Sequence, residues 1–436
     1  MTLGRRALAA LAARALAAGG AQAQKAGPLT LEQALAAADD RHPEMRVAAA
    51  ERDIAAAERD VAVARDDLRV IAGAALRQSR PALRAPGEDF LPDNSVFINV
   101  RKRLYDFGRA DALAAAGDAT VQARDAGLID ARSRQRIEIM ARFFDVLLAD
   151  KLFTVENEYM AVAYVRFDDA RQRLDVGQIP QVEVAALEAR YQGRLVRRNA
   201  AQKRQRITRA LLANAMNRPG ELAPDLADPG LPQNALPLPE YEKLLPVMYR
   251  SNPRMGASAR LLEASRQRME VVRSDLMPRV DLDLEAGDYS LETRTRNNLS
   301  AGVMLTWPLY DGTRSSAELN REQAAFYKLQ AEADRLKMIL AQSLLETLIE
   351  VEQLKRTVID ARARQVQHRD LALEKARGEY EMELKTNLGD SMAATVEARM
   401  EQRRAEYELA LARLEALVGQ PLERLAGGEG TQREKP

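Results

Sequence analysis

The chain has no cysteine, one tryptophan and two histidines among its 436 residues. Without cysteine there can be no disulfide, no thiolate metal site and no lipid-modified N-terminal thiol. The histidines offer little to a metal either. His42 stands at a predicted helix start beside Pro43, and His368 lies in a charged helical stretch with no partner ligand nearby. An excess of one charge is also missing. Lys and Arg number 65 against 64 Asp and Glu, for a net charge of +1, and no dense basic block occurs. A nucleic-acid partner is therefore not indicated. No nucleophile elbow, Gly-rich phosphate loop or metal-ligand cluster is present, so neither a cofactor nor an enzymatic activity is expected. Finally, after the N-terminal segment no apolar run reaches about 18 residues, and no transmembrane helix is expected.

Charged residues make up 30% of the chain and hydrophobic ones 46%, with only 5% aromatic. That mixture fits long helices and coiled coils better than a compact α/β enzyme. At the N-terminus Arg5 and Arg6 precede the apolar stretch Ala7–Ala18, and Ala21-Gln22-Ala23 offers small residues at a cleavage site. Residues 1–23 read as a secretory signal peptide. An exported chain with no transmembrane helix has one remaining way to span a membrane, as part of a β-barrel.

The chain is written twice. Arg41-His42-Pro43-Glu44-Met45 opens an Ala/Glu/Arg-rich helix, and Ser251-Asn252-Pro253-Arg254-Met255 opens another in the second half. Leu104-Tyr105-Asp106-Phe107-Gly108-Arg109 and Leu309-Tyr310-Asp311-Gly312-Thr313-Arg314 each close a candidate strand. We therefore read a first structural repeat over 29–218, a Pro-rich linker over 219–240, a second repeat over 241–422 and a disordered tail over 423–436. Each repeat begins with a helix of about 25 residues carrying Pro in its first turn, where the missing N–H costs nothing.

Two stretches of period-2 alternation follow in each repeat, which predicts strands with unlike faces. Val280, Leu282, Leu284 and Ala286 alternate with Arg279, Asp281, Asp283 and Glu285; Leu299, Ala301, Val303, Leu305 and Trp307 alternate with Ser300, Gly302, Met304 and Thr306. In the first repeat the apolar sets are Leu68, Val70, Ala72, Ala74 and Leu76, then Val96, Ile98 and Val100 against Phe97, Asn99 and Arg101. Such segments match transmembrane β-barrel strands. Trp307 and Tyr310 fall at a strand end, where interfacial aromatics belong.

Helical periodicity then runs long, with no proline between Asp93 and Ile179 or between Leu309 and Gln420. A helix from about Ala110 to Asp175 would be roughly 100 Å long. Breaks at Gly177–Pro180 and Glu383–Asp390 precede returning helices over Gln181–Asn217 and Ser391–Val418. The expected fold is mainly α with a small β part, each repeat supplying two strands and one long helical hairpin. Four strands cannot close a bacterial barrel, so other copies must complete it: two copies would give eight strands and three would give twelve. If the apolar set faces lipid, Asp281, Asp283 and Glu285 line the pore and make it negative.

The opening Leu29-Thr30-Leu31-Glu32-Gln33-Ala34-Leu35, the Asn252-Pro253 helix start and the two Leu-Tyr-Asp strand ends resemble the TolC family of outer-membrane efflux proteins. The resemblance implies a homotrimer with a twelve-stranded barrel in the outer membrane and an α-helical barrel in the periplasm. It also implies a passive exit duct for small-molecule (drug or metal) efflux or type I protein secretion, working with a periplasmic adaptor and an inner-membrane transporter. Through the tip motif, Tyr380 and Lys385 match the family's aromatic and basic gate positions, and Glu183 matches an acidic one. A Lys385–Glu183 contact supported by Tyr380 is thus expected to hold the closed state. Gly389 and Met392 stand where the family often carries entrance aspartates, which leaves Asp390 between them as a substitute. Exposed tips are natural contact sites, and Gly177, Pro180, Thr386 and Gly389 are the candidate adaptor contacts. The rival reading is a periplasmic coiled-coil adaptor or scaffold, which would share the hairpins and lack the paired amphipathic strands.

Overall fold

The computed structural model describes residues 27–36, 41–80, 90–229, 238–291, 297–382, 388–403 and 405–419. The proposed signal peptide, the tail over 423–436 and the tip residues Lys385 and Thr386 lie outside them. In chain order the described elements are α1 (Leu31–Ala36), α2 (Pro43–Ala64), β1 (Arg69–Ala75), β2 (Gln78–Ser79), β3 (Leu91–Pro92), β4 (Ser95–Tyr105), α3 (Arg109–Asp175) and α4 (Gln181–Ala215). Then come α5 (Tyr241–Ser251), α6 (Pro253–Ser274), β5 (Arg279–Tyr289), β6 (Leu299–Thr306), α7 (Arg314–Gln353), α8 (Ile359–Glu381), α9 (Leu388–Gln402) and α10 (Ala405–Val418). The chain divides into a strand-bearing unit (Asp40–Gln135, Asn234–Gln353, Ala410–Pro436) and a helical unit (Met1–Asp39, Arg136–Gln233, Leu354–Leu409).

In the strand-bearing unit, β1, β4, β5 and β6 form one sheet in that order, antiparallel throughout. A two-stranded ribbon, β2 with β3, was not foreseen. The helices beside the sheet start for local reasons. The His42 ring accepts the Glu44 N–H at 3.3 Å and the Asn252 carboxamide accepts the Arg254 N–H at 2.9 Å, each just ahead of a proline. A carboxamide cap such as that of Asn252 contributes about 1 kcal/mol. Asn252 is buried and also donates its amide to the Leu417 carbonyl at 2.9 Å, tying α6 to the end of α10. Gly419 follows at a left-handed φ of 75°, and a Cβ there would meet the Ser251 carbonyl oxygen at 2.5 Å.

The repeated Leu-Tyr-Asp motif is a strand-to-helix corner. Gly108 and Gly312 take φ of 83° and 75°. The Asp106 carboxylate then accepts the Ala110 N–H at 2.8 Å, and Asp311 accepts that of Ser315 at 3.2 Å. A carboxylate there satisfies an orphan donor and favours the positive helix end.

In the helical unit, Ala34, Ile139, Phe143, Val146 and Leu212 are buried together, with Leu29, Leu31 and Leu226 against them. Part of the Pro-rich stretch is built into this packing. Leu29 bridges to Leu226, and the Arg209 guanidinium donates to the carbonyls of Ala223 at 3.1 Å and Pro224 at 2.7 Å.

Two helical expectations need correction. Ahead of α8 the chain makes a π-turn over Leu354–Val358, invisible in a sequence with no proline there. The return expected over Ser391–Val418 is two helices, α9 and α10, parted at Arg403. There the Arg403 N–H is shared between the carbonyls of Arg399 and Met400 at 3.3 and 3.2 Å, a tightened last turn, and its side chain leaves for Asp228 at 2.9 Å.

Candidate functional site

The sheet has two chemically distinct faces, and the register decides which residues share each. Val70 opposes Val100, Ala72 opposes Ile98 and Ala74 opposes Val96. Further along, Leu284 opposes Val100, Leu282 opposes Val303 and Val280 opposes Leu305. This face is apolar across all four strands, yet uncovered: Ile98 is 50% exposed, Val303 65% and Leu299 76%. Burial of apolar surface is worth about 25 cal/mol per Å², and soluble monomers rarely leave a contiguous band of this kind open; such a band marks a protein or membrane contact. Lys102 interrupts the band near one end of β4 and turns to Asp67 at 3.2 Å, and Asp288, opposite Val96, interrupts it near the other end of the strands.

The other face is polar. Arg101 opposes Asp283 and Arg103 opposes Asp281. Their guanidinium groups reach these carboxylates at 2.7 and 2.6 Å, and the Asn99 amide donates to Asp283 at 2.8 Å. Arg103 also meets Asp66, just past α2, at 3.0 Å. Glu285 accepts the Tyr289 hydroxyl at 2.8 Å. Asp281, Asp283 and Glu285 thus share a face as expected, but they do not stand alone. Arg101 was visible in the alternation; that it meets Asp283 required the β4–β5 register, which joins residues from the two halves of the chain. On the same face the Phe97 ring lies over Gly73, where a Cβ would sit 2.4 Å from the ring.

Aromatic side chains mark the strand ends. Trp307 continues the apolar row of β6, and Tyr310 is 85% exposed. Tyr105 and Phe107, with ring centroids 4.8 Å apart, form a second exposed aromatic pair after β4. It was overlooked although both residues sit inside the repeated motif. Phe107 takes a left-handed φ of 55°, which sets its ring beside that of Tyr105.

In the helical unit, α3 is closed off by Gly177 just past its end, whose φ of 74° allows the Gly177 and Gln178 N–H groups to cap the carbonyls of Leu174 and Arg173, both at 2.8 Å. Pro180 then precedes α4 in an extended conformation, and Glu183 lies exposed in the first turn of α4. Tyr380 lies exposed in the last turn of α8. Among the described residues Glu183 and Tyr380 form no hydrogen bond with each other, and Lys385 is not among those residues. Asp390, in the first turn of α9, pairs with Arg166 of α3. It borders a groove of about 400 Å³ that also carries Arg190, Arg194 and Arg197. Gly389 allows close approach, since a Cβ there would sit 2.7 Å from a methyl of Val162. Deeper in this unit the Tyr159 hydroxyl donates to Glu397 at 2.7 Å. Burial, reinforced by that bond, pushes its pKa up to about 12.

Residues 244–420 match the profile of the family described as outer membrane efflux protein. The matched segment covers the second half of the chain. Over 280 residues the chain is 23% identical to the outer membrane efflux protein BepC of Brucella suis, a match covering 63% of this chain and 60% of that protein. Among solved structures, the outer membrane protein VceC of Vibrio cholerae superposes with a TM-score of 0.70 at 16% identity, covering 90% of this chain and 96% of that one. The CmeC outer membrane channel of Campylobacter jejuni gives 0.75 at 14% identity, covering 93% and 87%. At these identities the superpositions establish the fold, that of outer-membrane channel proteins.

Proposed function

We propose that the protein is the outer-membrane exit duct of an envelope transport system, a passive channel assembled from three copies of the chain. The observation that carries this reading is the sheet with an exposed apolar face and two edges, β1 and β6, that pair with no further strand among the described residues. In lipid each unpaired edge N–H or C=O would cost several kcal/mol, so the sheet must close. Its order and antiparallel pairing leave β1 and β6 running in opposite directions, so β6 of one copy can accept β1 of the next without breaking the alternation. Three copies give twelve strands, wide enough for a lumen. The apolar face then meets lipid, the aromatic residues at the strand ends lie at the interface, and Asp281, Asp283 and Glu285 face the pore. The family match supports three copies over two, and supports a channel over a periplasmic adaptor or scaffold.

The channel spans the outer membrane, with its helical part in the periplasm. Energy comes from an inner-membrane transporter coupled through a periplasmic adaptor, for small-molecule efflux or type I secretion. The hairpin tips form the gate, with Glu183, Lys385 and Tyr380 holding it closed and Asp390 contributing a carboxylate already engaged by Arg166. Gly177, Pro180, Thr386 and Gly389 belong to the adaptor contact. The test is fractionation with the outer membrane together with an oligomer that loses its slow gel mobility on heating. A soluble periplasmic monomer without channel activity in planar bilayers would overturn the reading.

A further inference from the structure

We propose that Arg101 and Arg103 are the residues that set the ion preference of the pore, by cancelling the acidic row of β5 across the β4–β5 register. The inference rests on the channel reading given above and concerns the inner wall of that channel. Taken alone, Asp281, Asp283 and Glu285, repeated in each copy, would make the wall negative and favour cations. The pairing removes that bias. Asp281 lies 2.6 Å from Arg103 and Asp283 lies 2.7 Å from Arg101, on the same face and from adjacent strands. Arg69 opposes Arg101 on that face, and Arg279 belongs to the row of Asp281. With Asp66 bound to Arg103, the basic set Arg69, Arg101, Arg103 and Arg279 meets an acidic set of equal size: Asp66, Asp281, Asp283 and Glu285.

The charges are balanced in sum and separated in space. Arg69 stands on β1 and Arg101 and Arg103 on β4, while β5 carries Asp281, Asp283 and Glu285 with Arg279 at its start, so in a closed barrel two basic staves are followed by a mainly acidic one in each copy. Such a wall has little net field along the pore and a strong field across it. Neither cations nor anions are excluded, and a solute carrying separated charges of both signs can be oriented as it passes. Arg103 has a second consequence. Because it holds Asp66 and Asp281 at once, it ties the end of α2 to the inner wall, whereas among the described residues the Arg101 guanidinium pairs with Asp283 of the sheet. Arg101 is therefore the cleaner position for testing charge alone.

The experiment is the reversal potential of the purified full-length channel in planar bilayers under a KCl gradient. The wild type should reverse close to zero. Arg101→Gln, and more so Arg101→Gln with Arg103→Gln, should shift the reversal potential toward that of K⁺, while Asp281→Asn with Asp283→Asn should shift it toward that of Cl⁻. The swap Arg101→Asp with Asp283→Arg keeps the pair intact and should behave as wild type, which separates lost charge balance from lost folding. A strongly cation-selective wild type, or variants that all reverse at the wild-type potential, would overturn the proposal while leaving the channel reading standing. Failure of the wild type to form any conductance would count against the channel reading instead.

Discussion

The sheet and the helical unit solve the burial problem in opposite directions. Around α3 and α4, Ile139, Phe143 and Leu212 are buried while arginines and carboxylates occupy the surface. In the sheet, Ile98, Leu299 and Val303 are exposed, and the ion pairs Arg101–Asp283 and Arg103–Asp281 cluster on the opposite face. One arrangement suits a chain in water, the other a wall with lipid on one side and water on the other. The difference teaches that exposure carries meaning only when the surrounding medium is named: the same apolar side chains that would drive aggregation in water are the fitted surface in a bilayer.

Parallel substitutions in the two regions can break this contrast. The largest effect is expected at Phe143, fully buried in the helical unit, where Phe143→Ala should cost about 3–5 kcal/mol. A lowered thermal transition of the helical signal in circular dichroism would register it. Next comes Val303→Arg on the apolar face of β6, which should cost about 2–4 kcal/mol per copy if the residue lies near the bilayer midplane. The heat-modifiable oligomer should weaken or vanish on gels, while Ser300→Arg on the polar face should leave it intact. Equal tolerance of the two substitutions would dissolve the distinction between the faces.

Smaller effects sharpen the comparison between the two helix starts. Asn252→Ala removes a cap and the buried bond to the Leu417 carbonyl, and should cost about 1–2 kcal/mol. His42→Ala removes only the cap at a half-buried site and should cost less, which chemical denaturation in detergent can compare directly. The least effect concerns Tyr159. Its folded pKa, raised to about 12, lies above the usual phenol value of 10, so its contribution to stability is complete below pH 10 and fades as pH rises through 12. Phenolate absorbance should show one tyrosine titrating late in the folded protein, and Tyr159→Phe should abolish that late step.

The parts of this fold written in local periodicity were legible in the sequence. The apolar rows of β4, β5 and β6, the His42 and Asn252 caps, and the Gly177 break each depend on residues a few positions apart. What depended on tertiary register was not. The meeting of Arg101 with Asp283 joins residues from opposite halves of the chain, and nothing near either residue announces it. The π-turn at Leu354–Val358 and the interruption at Arg403 were missed for a related reason. Neither uses proline or glycine, and at Arg403 the side chain answers to a distant partner, Asp228.

The central claim, that the apolar face of the sheet meets lipid, can be read from the chain's single tryptophan, since Trp307 continues the apolar row of β6. Full-length protein reconstituted in vesicles containing lipids brominated at shallow or deep acyl positions should show Trp307 emission quenched most by the shallow bromine and little by aqueous iodide. Strong quenching by iodide with none from either brominated lipid would place that face in water and contradict the account.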